Sequence, residues 1–264
     1  MTQEILTNFG KINNENGKNE ETLFCKDFNN NTKLIKTLIE KFTNLKLGNL
    51  KKYDGYTKTD LYTEINNSND TLNIQLKRYT NSNNKYGGQV GKILWDTLCA
   101  NIPDLNDISI YMKPFFDLPL INNIDNVDNV DNIVDKSKQI KLTKYNNNIQ
   151  NNIIETLNKN KKQILDIVFY GVNTVCKPQF FCYIEYINKI RNKITFISIN
   201  DLIKYLMKFD FSIDKSGKFI NLGDSFLFTR KGGDKGRITS NYIQFRIKFS
   251  KIKLLYHQTL IITF

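Results

Sequence analysis

The sequence predicts a mixed α and β chain: a central mixed β-sheet flanked by helices, followed by a β-rich C-terminal region. Three observations carry this. Residues 32–45 place apolar side chains at helical spacing. Residues 56–66 and 71–80 alternate apolar and polar positions with period two. From residue 225 on, apolar runs rich in Phe, Ile and Tyr follow one another. Nowhere does strict strand–helix alternation mark a doubly wound parallel sheet.

In order along the chain, residues 1–20 are polar and Asn-rich, and read as a loose arm or a weakly ordered first helix. In TKLIKTLIEKFTNL, Leu34, Ile35, Leu38, Ile39, Phe42 and Leu45 form one stripe, with Lys33, Lys36 and Glu40 opposite. The strands at 56–66 and 71–80 are joined by Asn, Ser and Asp, residues that favour turns. A Gly-containing loop reaches Gly88, and a helix is expected from Gln89 to Ala100, with Pro103 ending that segment. The Asp-Asn repeat at 121–135 has a period of three, which fits neither strand nor helix, so 121–146 is expected to be a surface insertion. Residues 146–162 read as a polar helix with Ile149, Ile153, Ile154 and Leu157 inward. ILDIVFYG (164–171) and QFFCYIEYI (179–187) read as β-rich runs. Residues 199–208 form a short helix capped by Asn200 or Asp201. SFLFTR, NYIQFRIKF and the run to Phe264 complete the β-rich end, about 222–264.

Composition removes several chemistries. The single histidine, His257, excludes His-based zinc sites and nucleases that need two histidines, and it would have to serve any Ser-His-Asp or Cys-His hydrolase. Carboxylates, amides and lysines must therefore do the work. Lys and Arg total 38 against 26 Asp and Glu, a net charge of +12. That excess is either an electrostatic footprint for a polyanion or the drift of an Asn-, Lys- and Ile-rich composition. No apolar window is long enough to span a membrane, and the N-terminus lacks the pattern of a secretory signal. The four cysteines show no CxxC spacing, so a reducing, cytoplasmic location is expected.

The informative stretch is 52–80. In its first strand Leu61, Thr63 and Ile65 point one way, and Asp60, Tyr62 and Glu64 the other. In its second, Leu72, Ile74 and Leu76 are apolar, while Asn73, Gln75, Lys77 and Tyr79 form the polar face. With Asn66 and Thr71 flanking the turn, Asp60 is expected to face Lys77, Tyr62 to face Gln75 and Glu64 to face Asn73. A carboxylate, an amide and an ammonium then converge on one face. The bland alternative is an exposed cross-strand ion pair worth under about 1 kcal/mol.

An Asp near the start of one strand, then an acidic or amide residue, one apolar residue and a Lys on the next, resembles the PD-(D/E)XK nuclease superfamily. Here it reads Thr59-Asp60, then Gln75-Leu76-Lys77. Thr59 stands where the family has Pro, and Gln75 where it usually has Glu or Asp, although some branches carry an amide there. The Lys-Thr-Asp triplet and Gly87-Gly88-Gln89 are similar to type II restriction endonucleases in particular. The resemblance covers about residues 30–100. It implies one restriction-endonuclease-like domain over 1–264, with a catalytic core at about 30–110.

In-line hydrolysis of a phosphodiester needs a divalent cation to neutralise charge and activate water, and Mg²⁺ takes oxygen ligands. The resemblance assigns Asp60, the Gln75 side-chain oxygen and the Leu76 carbonyl to the metal, and Lys77 to the nucleophilic water and the developing charge. Because Gln75 is neutral, Glu64, Asp54 or Glu40 would have to compensate; Glu64, Glu40 and Gln89 are the accessory candidates. The loop Arg230-Lys231-Gly232-Gly233-Asp234-Lys235-Gly236-Arg237 combines cations with glycines that permit close approach to a phosphate. Arg230, Lys231, Lys235 and Arg237 are expected at the DNA backbone, and Asn241, Gln244 and Arg246 at base edges, against the alternative of a solvated hairpin tip.

The reading is a Mg²⁺-dependent type II restriction endonuclease acting on double-stranded DNA. A palindromic site favours a homodimer. A cognate DNA methyltransferase is implied by the resemblance only. The alternatives are a non-catalytic nucleic-acid-binding protein on the same fold, and a DNA-repair or recombination nuclease of the same superfamily.

Overall fold

The computed structural model describes residues 3–54, 58–80, 88–116, 140–172, 175–230, 242–248, 251–252 and 258–264. In chain order the elements begin with α1 (Gln3–Asn29), a 3₁₀ turn (Thr32–Leu34), α2 (Ile35–Thr43), β1 (Leu47–Lys52), β2 (Leu61–Ile65), β3 (Thr71–Thr80) and β4 (Gly88–Leu94). Next come α3 (Trp95–Asn101), α4 (Ser109–Phe116), α5 (Asn147–Lys159), α6 (Lys161–Tyr170), β5 (Phe180–Ile187) and β6 (Ile190–Ser198). The chain closes with α7 (Ile199–Leu206), β7 (Phe211–Ile213), β8 (Phe219–Leu222), β9 (Phe226–Arg230), β10 (Tyr242–Ile247) and β11 (Thr259–Thr263). Among the described residues no helix is long and apolar enough to cross a membrane. The Asp-Asn repeat lies outside the described residues.

These elements fall into two compact units, each assembled from separate stretches. The motif unit is Lys11–Lys85, Phe169–Tyr205 and Lys253–Phe264; the second unit is Met1–Gly10, Tyr86–Val168 and Leu206–Ile252. The stretch expected as one catalytic core, about 30–110, is thus shared between them.

The motif unit carries a six-stranded sheet in the order β1-β2-β3-β5-β6-β11. It is mixed because β3 and β5 run parallel while its other neighbours are antiparallel. β5 is buried over most of its length, so it reads as a nearly continuous apolar run, as a strand covered on both faces must. One face is covered by helices. Leu61, Leu72, Ile74 and Leu76 belong to the same core as Phe24 and Phe28 of α1 and Ile35 and Ile39 of α2. Burying each of these large apolar side chains stabilises the unit by about 1.5–3 kcal/mol.

Four local expectations are corrected. The stripe helix begins at Ile35, because Asn31, Lys33 and Leu34 all hold positive φ and the Asn31 amide bonds to Thr37. Leu34 is consequently 58 % exposed. Residues 88–94 are strand β4, with only 95–101 helical. Gly91 would cost a helix interior about 1 kcal/mol relative to Ala, whereas the ladder with β10 absorbs it. Residues 161–170 are helix α6, whose buried Ile164, Leu165, Val168 and Phe169 have helical spacing. The cap before α7 is Ser198, whose Oγ accepts from Asp201 N at 3.3 Å.

The second unit holds a five-stranded antiparallel sheet, β4-β10-β9-β8-β7. Asp214 closes its β7–β8 turn by accepting from the backbone N–H groups of Ser216 (3.0 Å), Lys218 (2.8 Å) and Phe219 (2.8 Å). Burial opposes ionisation there, but the Ser216 hydroxyl and these N–H groups outweigh it and hold the carboxyl below its ordinary value. Asp214→Ala is expected to lower stability by about 1 kcal/mol at neutral pH, discounted for solvent screening. A depressed carboxyl stabilises the fold above its unfolded pKa, near 4, and loses that contribution as pH falls through the folded value. Urea unfolding of the two proteins should therefore converge in acid.

Candidate active site

β2 and β3 form the expected hairpin, with the register displaced by two residues. Leu61 pairs with Ile74, Tyr62 with Asn73, Thr63 with Leu72 and Glu64 with Thr71. The turn causes the shift. Asn67 takes a left-handed conformation, Ile65 N donates to Asp70 O at 3.0 Å, and Ser68 and Asp70 bond to each other. A shift of two keeps every side chain on its face.

β2 begins opposite Ile74, while β3 continues to Thr80, so β3 outruns its neighbour. Asp60 fills the step. Its N donates to Ile74 O at 3.0 Å, and its Oδ2 accepts from Leu76 N at 2.7 Å and Lys77 Nζ at 3.2 Å. Thr59, in the position where the resemblance has proline, is 2 % exposed and donates its hydroxyl to Cys176 O at 2.7 Å, which fixes the approach to Asp60. The side chains of Asp60 and Lys77 are 22 % and 32 % exposed, so the pair is neither splayed onto opposite surfaces nor sealed from a ligand.

A cavity of about 610 Å³ opens at this step. Leu76, Lys77 and Arg78 of β3 form one wall, and Glu21 of α1 another. Glu21 had no place in the sequence reading. Its carboxyl is raised by burial and then by the negative charge of Asp60, while Lys52, at 3.4 Å, and Lys77 oppose the rise. Two carboxylates therefore share one neighbourhood with two ammonium groups. Lys58 joins them: burial, then the charge of Lys77, pulls its ammonium down to about 8, with Asp60 opposing.

A cluster on the helix side sets the position of α1. Glu20, 2 % exposed, accepts from Arg191 Nη2 at 2.6 Å and from Tyr186 Oη at 2.5 Å. Arg191 also bonds Asp27 one helical stretch further on, and Arg78 stacks on Tyr186 at 4.4 Å. Glu20 being anchored, its neighbour Glu21 is held at the cavity, where it pairs with Lys52 of β1.

Gln75 is 2 % exposed, and its side-chain oxygen has no hydrogen-bond partner among the described residues. A buried acceptor left unpaired costs about 1–3 kcal/mol, and a cation or ordered water satisfies it. An amide oxygen on the same strand face as Lys77 has the donor chemistry that a hard divalent ion takes. Asp60 and Glu21, whose charges interact, are the carboxylates suited to hold one, while Gln75 does not line the cavity. Among the described residues, no three His, Cys, Asp or Glu side chains gather as a metal cluster.

Other expected site residues are placed elsewhere. Glu40 accepts from Leu47 N at 2.8 Å and ties α2 to β1. Glu64 pairs with Lys51 at 2.8 Å; the Lys51 hydrogen bond and charge hold its carboxyl low. Gln89 lies in the second unit, where its Oε1 accepts from Gln244. Gln244 in turn accepts from Arg246 Nε at 3.0 Å, so these three polar side chains form one connected row on the β4–β10 pair. Arg230 is 6 % exposed and donates to the carbonyls of Pro114 and Phe115 at the end of α4. It satisfies a helix C-terminus, and burial removes it from the expected DNA contacts. Lys231, Lys235, Arg237 and Asn241 lie outside the described residues.

Comparison with protein-family models gives no match, and neither does comparison with curated proteins. Among solved structures, the chain is similar to the restriction endonuclease MspI in complex with its cognate DNA. The TM-score is 0.57 at 14 % sequence identity, over 87 % of this chain and 88 % of that one. The fold is therefore restriction-endonuclease-like: a mixed central sheet flanked by helices.

Proposed function

We propose that the chain is a type II restriction endonuclease, hydrolysing phosphodiester bonds of double-stranded DNA at a short sequence with Mg²⁺. The observation that carries the reading is the Asp60–Lys77 pair, whose lysine lines a cavity, on the strand step of a restriction-endonuclease-like sheet. MspI, the solved structure of similar fold, holds its cognate DNA, and the +12 charge of this chain suits the same polyanion.

When bound, Mg²⁺ neutralises phosphate charge and lowers the pKa of water. Asp60 would supply the anionic oxygen for it, Gln75 a neutral one, and Glu21 a second carboxylate. Lys77 would present its ammonium to the reacting phosphate, orienting the attacking water and offsetting negative charge as it develops. Asp60 keeps Lys77 in that position through their direct contact. Gln244, Arg246 and Gln89 form a polar row suited to base edges, and a two-fold DNA site favours a homodimer. A cognate DNA methyltransferase belongs with this reading.

Incubation of plasmid and genomic DNA with Mg²⁺ is expected to give discrete fragments with a common end sequence. Smeared products point instead to a repair-type nuclease. Binding without any cutting points to a non-catalytic module, the reading that the neutral Gln75 favours. Glu21→Gln is expected to raise the Mg²⁺ concentration for half-maximal cleavage and to slow turnover about 10²-fold. Unchanged Mg²⁺ dependence would remove Glu21 from the site.

A further inference from the structure

The turn between β5 and β6 consists of Asn188 and Lys189, with φ of 49° and 66°. Positive φ at both central residues is the geometry that suits the twist of a two-residue hairpin, and its second position is the natural place for glycine. Asparagine tolerates its place; lysine holds the left-handed conformation at a cost that glycine would avoid. Strain kept at one residue asks what its side chain does.

Lys189 lines the cavity of about 610 Å³ together with Lys77 and Arg78. The other two cations are engaged: Lys77 with Asp60, and Arg78 with Glu20 and the Tyr186 ring. Lys189 pairs with no carboxylate among the described residues. Gly17 of α1 also lines the cavity and leaves its part of the wall bare, since a Cβ built there meets nothing within 4 Å. A strained ammonium without a carboxylate partner among the described residues therefore lines the same cavity as Lys77.

We infer that Lys189 is a phosphate contact, binding, at the far end of the cavity it shares with Lys77, a phosphodiester of the same duplex several residues of strand away from the Asp60–Lys77 pair. The inference rests on the nuclease reading of Asp60 and Lys77 and adds the hairpin tip to its DNA-binding surface. Lysine binds phosphate as a point charge and releases counterions in doing so.

Lys189→Gly tests this, because glycine suits the turn and the fold is kept. Binding of a fluorescent DNA duplex in EDTA, where hydrolysis is absent, is measured over a salt series. The slope of log affinity against log salt is expected to become shallower by about 0.9, one phosphate contact. Affinity should fall several-fold at fixed salt, with an unchanged or higher thermal midpoint. With Mg²⁺, KM is expected to rise several-fold at nearly constant kcat, and Lys189→Arg should retain the original slope and KM. If Lys189→Gly leaves slope and KM unchanged while Lys77→Ala abolishes cleavage, the inference falls and the nuclease reading stands. A fall in kcat with an unaltered slope also overturns it. If the unaltered chain neither binds nor cuts duplex DNA, both fall together.

Discussion

Asp60→Asn and Lys77→Met are each expected to reduce Mg²⁺-dependent cleavage of duplex DNA by about 10³-fold or more. The choice of substitution follows from the geometry. Asp60 Oδ2 accepts from Leu76 N at 2.7 Å, so alanine would leave that edge N–H without its acceptor. Asparagine keeps an oxygen for Leu76 and removes only the charge. Methionine keeps the stem of Lys77 against the cavity wall and removes only the ammonium. Binding in EDTA should survive in both variants, because most of the electrostatic affinity is spread over the chain's other cations. The double variant should be little worse than either single one, since the two groups act as a unit. Discrete fragments persisting in Asp60→Asn would contradict the assignment of that carboxylate to the reaction.

Arg191→Met carries the second large effect, on stability. Arg191 is the main partner of Glu20, which is 2 % exposed, and it also bonds Asp27. Removing it leaves a carboxylate buried with the Tyr186 hydroxyl and a more distant Arg78, at 3.9 Å. A buried charge stripped of its partner typically costs about 3–5 kcal/mol, whereas removing both charges costs far less. Urea unfolding should show that loss for Arg191→Met and partial recovery when Glu20→Gln is added, a non-additivity expected of residues in contact. A loss below about 1 kcal/mol in the single variant would mean that water reaches Glu20. Because the cluster also orients α1, cleavage at temperatures where the variant remains folded should show the same higher Mg²⁺ requirement as Glu21→Gln.

The legible part of the site lay in period-two alternation. Asp60 and Lys77 could be put on one face from sequence because any even shift of register preserves the faces, and the shift between expectation and structure is two. Their contact survives because the lysine side chain is long enough to reach along the strand. Register itself was not legible, since it depends on Asn67 entering the left-handed region and on the Ser68–Asp70 bond. Alternation put Asn73 and Gln75 on the polar face without showing that this face is covered, and they are buried at 7 % and 2 % exposure. Polarity of a side chain does not show that a second layer lies over it. Arg230 was misplaced for the opposite reason: its sequence neighbours are cationic and glycine-rich, while the carbonyls it satisfies lie more than a hundred residues away.

From sequence alone came the mixed α and β class, the stripe of α2, the hairpin and the pair of charges at its end. All of these follow from local periodicity, which is a property of neighbours in the chain. Tertiary structure decided the parallel pairing of β3 with β5, the burial of Gln75, the arrival of Glu21 from α1 and the place of Lys189 at the cavity. Each of these depends on which distant surfaces bury one another, and burial energy follows total apolar area removed from water and carries no label of sequence separation.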